Sequence, residues 1–244
     1  MAPKRARTLG GAVGAAVVVV ATVLVVSLVT GENILDVLLR KVTGQGGGAP
    51  SPTTGQQGPA TGEDAAEAEE RLESLETAEP APRGDYDRDE FGSGWIDTDD
   101  NGCSTRNDVL ARDLTDTEIA PDCKVLSGTL DDPYTGGTVE FSSEDPQAVQ
   151  IDHVVPLSLA WRMGADEWDR DTRVEFANDF GNLLASDGPA NREKSDSGPG
   201  EWLPYEGYQC SYAVAYVDVL HRYELPVSAD DRRGLTDALA ACDR

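Results

Sequence analysis

The sequence predicts an α+β protein with a single globular domain, placed behind a membrane-directed N-terminus. Two observations carry that reading. Helix-like and strand-like segments follow one another irregularly between Gly84 and Arg244, without the strand–helix–strand rhythm that builds a parallel sheet. That stretch is also long enough for one sizeable core, whereas the residues before it are apolar and then low in complexity.

Residues 1–8 are basic, with Lys4, Arg5 and Arg7, and read as a cytoplasmic segment. Residues 9–30 are uncharged and mostly apolar, long enough to supply the roughly 20 residues a helix needs to cross a bilayer. A cleavable signal has a shorter apolar core, about 7–15 residues, and a small-x-small cleavage site. No Ala-x-Ala lies near Val26–Gly31. The segment therefore reads as a transmembrane signal anchor in preference to a signal peptide, with the rest of the chain on the extracellular side, or secreted if the segment is cleaved. Residues 31–83 read as a disordered acidic and Gly/Pro-rich linker, too poor in large apolar side chains to offset the entropy of ordering. The globular domain is then 84–244.

Within the domain, Thr105–Leu114 places Val109, Leu110 and Leu114 at helical spacing, with Ser104 or Thr105 as N-cap. Lys124–Leu130 and Thr138–Phe141 flank the turn sequence Asp131–Gly137 and read as two strands. Val149–Ile151 starts a short strand that Pro156 ends. Leu157–Met163 and Glu167–Asn178 are helical, Asn182–Ala185 is a strand, and Ala190–Asp196 is a helix behind Pro189. Tyr212–Tyr223 and Asp230–Cys242 are the closing helices.

All four cysteines lie in the exported part, and none is in a C-x-x-C, which argues against a zinc knuckle. An even number in an oxidising compartment favours two disulfides. Three pairings are open; Cys103–Cys123 with Cys210–Cys242 is the expected one, because each closes a local loop. The chain has 45 Asp+Glu against 20 Lys+Arg, a net charge of −25. Polyanion binding rests on Lys and Arg neutralising phosphates, so this balance argues against avid nucleic-acid binding and fits an extracellular enzyme that binds weakly and turns over.

Asp152-His153 stands at the end of the short apolar strand, followed by Asn182 and then by Asn191-Arg192-Glu193-Lys194-Ser195-Asp196. An Asp-His pair alone reads better as a capped turn beside a buried histidine, because short motifs match by chance. The ordered set resembles the HNH endonuclease family, whose core reads D-H-x-x-P, then N, then N-x-x-K-S-D. It is most similar to the exported actinobacterial branch, with its C-x-T-R, D-P-Y-T-G, A-W-x-x-G-A and E-W-L-P segments at Cys103–Arg106, Asp132–Gly136, Ala160–Ala165 and Glu201–Pro204.

The resemblance implies a ββα-metal core elaborated by helices, and hydrolysis of phosphodiester bonds in DNA, with RNA as the alternative substrate. It makes His153 the general base, since imidazole titrates near neutrality. Asp152 and Asn191 become the metal ligands, Asn182 the residue that orients the loop carrying His153, and Lys194 a phosphate contact. Asn191 stands where the family name has its last histidine. Oxygen donors suit Mg²⁺, or Mn²⁺ and Ca²⁺, better than Zn²⁺. Arg106, Arg162 and Arg192 read as ion-pair partners in so acidic a chain.

Asp97-x-Asp99-x-Asn101-Gly102 followed by Asp108 fits a calcium-loop pattern and is a second candidate metal site; the plainer reading is an Asx-rich turn before a helix. The expected partners are a nucleic acid and, through the N-terminal helix, a membrane, with no protein partner. The competing function is a non-catalytic exported module, binding calcium or a wall component on a decayed nuclease fold. The acidic charge favours it, and the intact Asp152/His153/Asn182/Asn191 set opposes it.

Overall fold

The computed structural model describes residues 59–242. The basic segment, the membrane anchor and the linker up to residue 58 lie outside the described residues. Among the described residues no helix is long and apolar enough to cross a membrane.

The described chain is a mixed α+β domain. Its helices are α1 (Gly62–Ser74), α2 (Thr105–Asp113), α3 (Leu157–Arg162), α4 (Arg170–Asn178), α5 (Gly188–Lys194), α6 (Gln209–Arg222) and α7 (Ala229–Ala240). Its strands are β1 (Thr115–Ile119), β2 (Val125–Asp131), β3 (Thr138–Ser142), β4 (Val149–His153) and β5 (Leu183–Asp187). β1, β2 and β3 form an antiparallel sheet in that order, and β4 and β5 form a separate antiparallel ribbon.

Local chemistry explains the boundaries. The β2–β3 turn closes because Asp132 Oδ2 accepts from the Thr135 amide at 2.8 Å and from the Thr135 hydroxyl at 2.6 Å. Gly136 sits there at φ +71°, and the Tyr205 ring would lie 2.9 Å from any Cβ. The helix expected over Glu167–Asn178 is interrupted: Asp169 accepts from the Thr172 amide at 2.8 Å and caps a new helix, α4, behind a single 3-10 turn. β1 is an exposed strand of polar residues, Thr115-Asp116-Thr117-Glu118-Ile119, in which no hydrophobic alternation announces a strand.

The ribbon lies between two cores. Val149 and Ile151 of β4 and Leu183 of β5 join a small core with Val109, Leu110 and Phe141. Val154, one residue past β4, belongs to a larger core built on the helices, around Phe176, Tyr212, Tyr216 and Leu235. Two disulfides, Cys103–Cys123 and Cys210–Cys242, tie α2 to the start of β2 and α6 to the C-terminal end of α7.

The linker expectation needs correction at its C-terminal end. Residues 62–74 are a helix with a complete capping box between Thr61 and Asp64, and Ala65, Ala68 and Leu72 are buried against α6 and α7. Alanines carry this face, so its apolar signal is weak in the sequence, yet small side chains let the helix approach closely. The chain beyond α1 is also fastened. Ala78 donates to Val227 O at 3.2 Å, Val227 to Glu76 O at 2.9 Å, and Ala81 to Arg162 O at 2.8 Å. The folded domain therefore begins before residue 84.

Candidate active site

Asp152 and His153 are adjacent on β4, where the pleat alternates side chains between faces, and both line one pocket at the end of the strand. His153 is buried, and Trp95 stacks on it with ring centroids 5.8 Å apart and planes 12° from parallel. Its Nε2 lies 2.9 Å from the Ala177 carbonyl. A carbonyl only accepts, so the proton is on Nε2 and Nδ1 carries the lone pair. Burial pushes the imidazole down to about 4, with the positive charge of Arg88 adding to the shift and the Ala177 hydrogen bond opposing it. The ring is thus neutral at physiological pH, and Nδ1 is its unprotonated nitrogen.

Asp152 is held through one oxygen. Its Oδ2 accepts from the Tyr134 hydroxyl at 2.5 Å and lies 2.8 Å from Lys194 Nζ. Oδ1 remains for another partner. The Tyr134 phenol is kept protonated, first by burial and then by the Asp152 charge, so it stays a donor.

Asn182 is fully buried and touches nothing outside the protein. Its Oδ1 accepts from the Val155 amide at 2.8 Å, its Nδ2 donates to Val155 O at 3.4 Å, and its own carbonyl accepts from the Val154 amide at 2.8 Å. These bonds pin the two residues after His153. Lys194 is fully buried too, donating to His153 O at 2.9 Å as well as pairing with Asp152. The phosphate contact expected of Lys194 is not available to it: an ammonium with no exposed surface positions its neighbours instead.

Asn191 stands one turn before Lys194 on α5, which is capped by Asp187 accepting from the Ala190 amide at 2.9 Å. Its Nδ2 donates to Gln150 Oε1 at 3.0 Å, and Gln150 shares the Asp152 face of β4. That bond leaves Oδ1 as its free acceptor. Asn191 does not line the pocket in which Asp152 and His153 meet. That pocket, about 210 Å³, is lined by Arg83, Tyr86, Arg88, Asp152, His153, Pro156, Leu157, Ser158, Ser195 and Asp196. Among the described residues no group of three or more His, Cys, Asp and Glu is set to hold a metal ion. The donor set on offer is thin and all oxygen: Asp152 Oδ1 and Asn191 Oδ1. Oxygen donors of this kind are the chemistry that a hard divalent ion prefers.

The second candidate metal site does come together, but around itself. Asn101 Nδ2 donates to Asp99 and Asp108, and the Asn101 and Gly102 amides donate to Asp97. Those are the contacts of a closed Asx turn. Arg106, Arg162 and Arg192 form no ion pair among the described residues. Arg106 lies 5.8 Å over the Phe141 ring, and Arg162 Nε donates to Ala81 O. A larger cavity, about 400 Å³, is lined by Pro133, Phe180, Tyr205 and Tyr208 but contains neither Asp152 nor His153. Its Arg112 is already engaged by Asp113 and by the carbonyls of Phe180 and Leu183. The proton-accepting chemistry is at the smaller pocket.

Sequence reasoning missed Tyr134, Arg83, Tyr86, Arg88 and Asp196. Tyr134 sat in view inside the D-P-Y-T-G motif, and Asp196 ended N-x-x-K-S-D. Arg83 was hidden by the misplaced domain boundary, and Arg88, inside the expected domain, stands in a segment with no motif.

The model of the C-terminal domain of GmrSD restriction endonucleases matches residues 104–234, which include every catalytic and first-site metal candidate named above. A protein of Arthroderma benhamiae described as an uncharacterized secreted protein is 38% identical over 181 residues, covering 73% of this chain and 86% of its own. No solved structure gives a significant match. With a match over more than half its length, on the segment that carries Asp152 and His153, this chain belongs to the GmrSD restriction endonuclease C-terminal domain family.

Proposed function

We propose that the domain is a divalent-metal-dependent endonuclease of HNH type that hydrolyses phosphodiester bonds of DNA, with RNA as the alternative substrate, outside the cytoplasm. The observation that carries this is the state of His153: neutral, oriented through Nε2, and lining a pocket shared with Asp152. Membership of a nuclease family and the β4–β5–α5 arrangement, which has the ββα order of the HNH core, support the reading. The two disulfides and the secreted relative support export, and residues 9–30 are assigned as its signal, retained as an anchor or removed. The four flanking motifs support the exported branch of the family.

In this mechanism His153 Nδ1 takes the proton of the attacking water. The Ala177 carbonyl and Trp95 fix the ring, Asn182 fixes the backbone that follows it, and Tyr134 and Lys194 fix the carboxylate. Asp152 and Asn191 would hold the cation, which when bound supplies charge neutralisation at the phosphate.

The test is digestion of plasmid DNA and of RNA by the full chain with Mg²⁺, Mn²⁺, Ca²⁺ or EDTA, alongside His153→Ala. Cleavage with Mg²⁺, none in EDTA, and a loss of about 10²–10⁴-fold in the variant are expected. Cleavage undiminished in EDTA refutes the metal requirement. A wild-type chain that cuts neither substrate refutes the nuclease reading.

A further inference from the structure

We propose that Arg83 and Arg88 are a phosphate-binding pair that holds the polynucleotide backbone over His153; the proposal rests on the nuclease reading above and names how that site takes its substrate.

Both side chains line the same pocket as Asp152 and His153. Both are exposed, and among the described residues neither belongs to an ion pair, although Arg71, Arg112, Arg173, Arg222, Arg233 and Lys194 do. Two arginines outside any ion pair, at one pocket of a chain with 45 acidic and 20 basic residues, leave two guanidinium groups there for an anionic ligand. The same pocket is lined by Asp152 and Asp196, the latter accepting from Ser158 Oγ at 3.1 Å. Without those two cations a phosphodiester in this pocket would meet only carboxylates. Guanidinium is suited to that position: planar, always charged, with paired N–H donors that match two phosphate oxygens at once.

The two arginines are also carried on a prebuilt support. Residues 82–89 arch between two fixed feet. At the first, Ala81 N donates to Arg162 O and Arg162 Nε returns a bond to Ala81 O at 2.9 Å. At the second, Arg173 donates to Glu90 O at 3.0 Å and pairs with its carboxylate at 3.1 Å, while Phe91 is buried. Midway, Tyr86 packs edge-on against Trp161 with centroids 6.0 Å apart, and the Arg83 guanidinium lies 5.1 Å over the Tyr86 ring. A segment so fastened presents its arginines at low entropic cost. Binding then depends on a local basic pair inside an acidic molecule, and not on net charge.

The experiment compares the full chain with R83Q/R88Q, R83K/R88K and the remote control R233Q. Cleavage kinetics are measured across salt, and anisotropy of a labelled oligonucleotide is measured on the same set in a His153→Ala background. The glutamine pair is expected to raise KM about 10–100-fold with a smaller change in kcat. It should also flatten the log–log salt slope by about 1.8 on duplex DNA, or about 1.4 on a single strand, as two lost phosphate contacts require. The lysine pair should restore the salt slope but only part of the affinity, and R233Q should match wild type. Wild-type KM and salt slope in R83Q/R88Q, with the wild type cutting, overturn the pair and leave the nuclease reading intact. Arginine-dependent oligonucleotide binding by a chain that never cuts upholds the pair and sinks the nuclease reading. A chain that neither binds nor cuts sinks both.

Discussion

Lys194 Nζ lies 2.8 Å from Asp152 Oδ2 and 2.9 Å from the carbonyl of His153, with none of its side chain exposed. One ammonium therefore fixes two consecutive residues of β4 from the last turn of α5. A buried charge is tolerated only when its partners satisfy it, so the pair makes helix, strand and pocket a single unit.

Replacing Lys194 with Met leaves Asp152 buried beside Tyr134 without its counter-charge. Urea denaturation is expected to show a loss of about 3 kcal/mol or more. Lys194→Arg should also destabilise, by about 1–3 kcal/mol, because a larger head group must enter a filled site. A loss below about 1 kcal/mol for the Met variant would place the pair among ordinary solvent-screened ion pairs.

Tyr134→Phe removes only the hydroxyl that donates to Asp152. A hydrogen bond to a charged group contributes about 1.5–3 kcal/mol, and that is the expected loss of stability. The ring still packs against Trp202, with centroids 4.8 Å apart, so the expressed protein should remain folded. An unchanged denaturation midpoint would show that Lys194 alone holds the carboxylate.

His153 makes stability depend on pH. Unfolded, its imidazole titrates near 6.5; folded, burial holds it at about 4. Between those values the unfolded chain binds the extra proton, so this stability is complete above pH 6.5 and is lost as pH falls toward 4. The full swing is on the order of 3 kcal/mol. Denaturation in EDTA should show it in wild type and not in His153→Gln. Parallel profiles for the two would mean that the ring protonates in place.

Ala68→Asp tests whether the chain before residue 84 belongs to the domain. Ala68 is fully buried on α1, so a carboxylate there costs about 3 kcal/mol or more. For a domain of this size that is a fall of roughly 6–12 °C in Tm. An unchanged Tm would return α1 to the status of a solvated spacer.

The two disulfides close loops with sequence separations of 20 and 32 residues. Loops of this length are expected to contribute about 3 kcal/mol each by restricting the unfolded chain. Alkylation of native protein should label no cysteine, and reduction should lower Tm. Four labelled cysteines before reduction would contradict both bridges.

Much of this architecture is legible in the sequence, because hydrophobic pattern and turn residues act locally. The Asp131–Gly137 turn marks β2 and β3, and Pro189 marks the start of α5. What was hidden depends on tertiary contact. Alanines give α1 no strong periodicity, and polar β1 is a strand only because β2 offers its edge. The site divides the same way. Asp152, His153 and Asn182 could be named from motif order, but the burial of Lys194, and with it the loss of a phosphate contact, depends on how α5 closes over β4. Arg83 and Arg88 reach the pocket only through the path of a segment with no motif of its own.

The β2–β3 turn carries an unusual restriction. Besides closing the turn, Asp132 accepts from the Asp187 amide at 2.8 Å through Oδ1, and two residues later Tyr134 reaches Asp152. Surface turns are ordinarily where a chain absorbs extra residues without harm. Here one residue inserted between Asp132 and Tyr134 would rotate one side chain away from its target whichever way the turn relaxed. A short connection at the margin of the domain thus has its length set from the ribbon, and a linker or tag grafted there should be tolerated less well than one placed in the exposed polar strand β1.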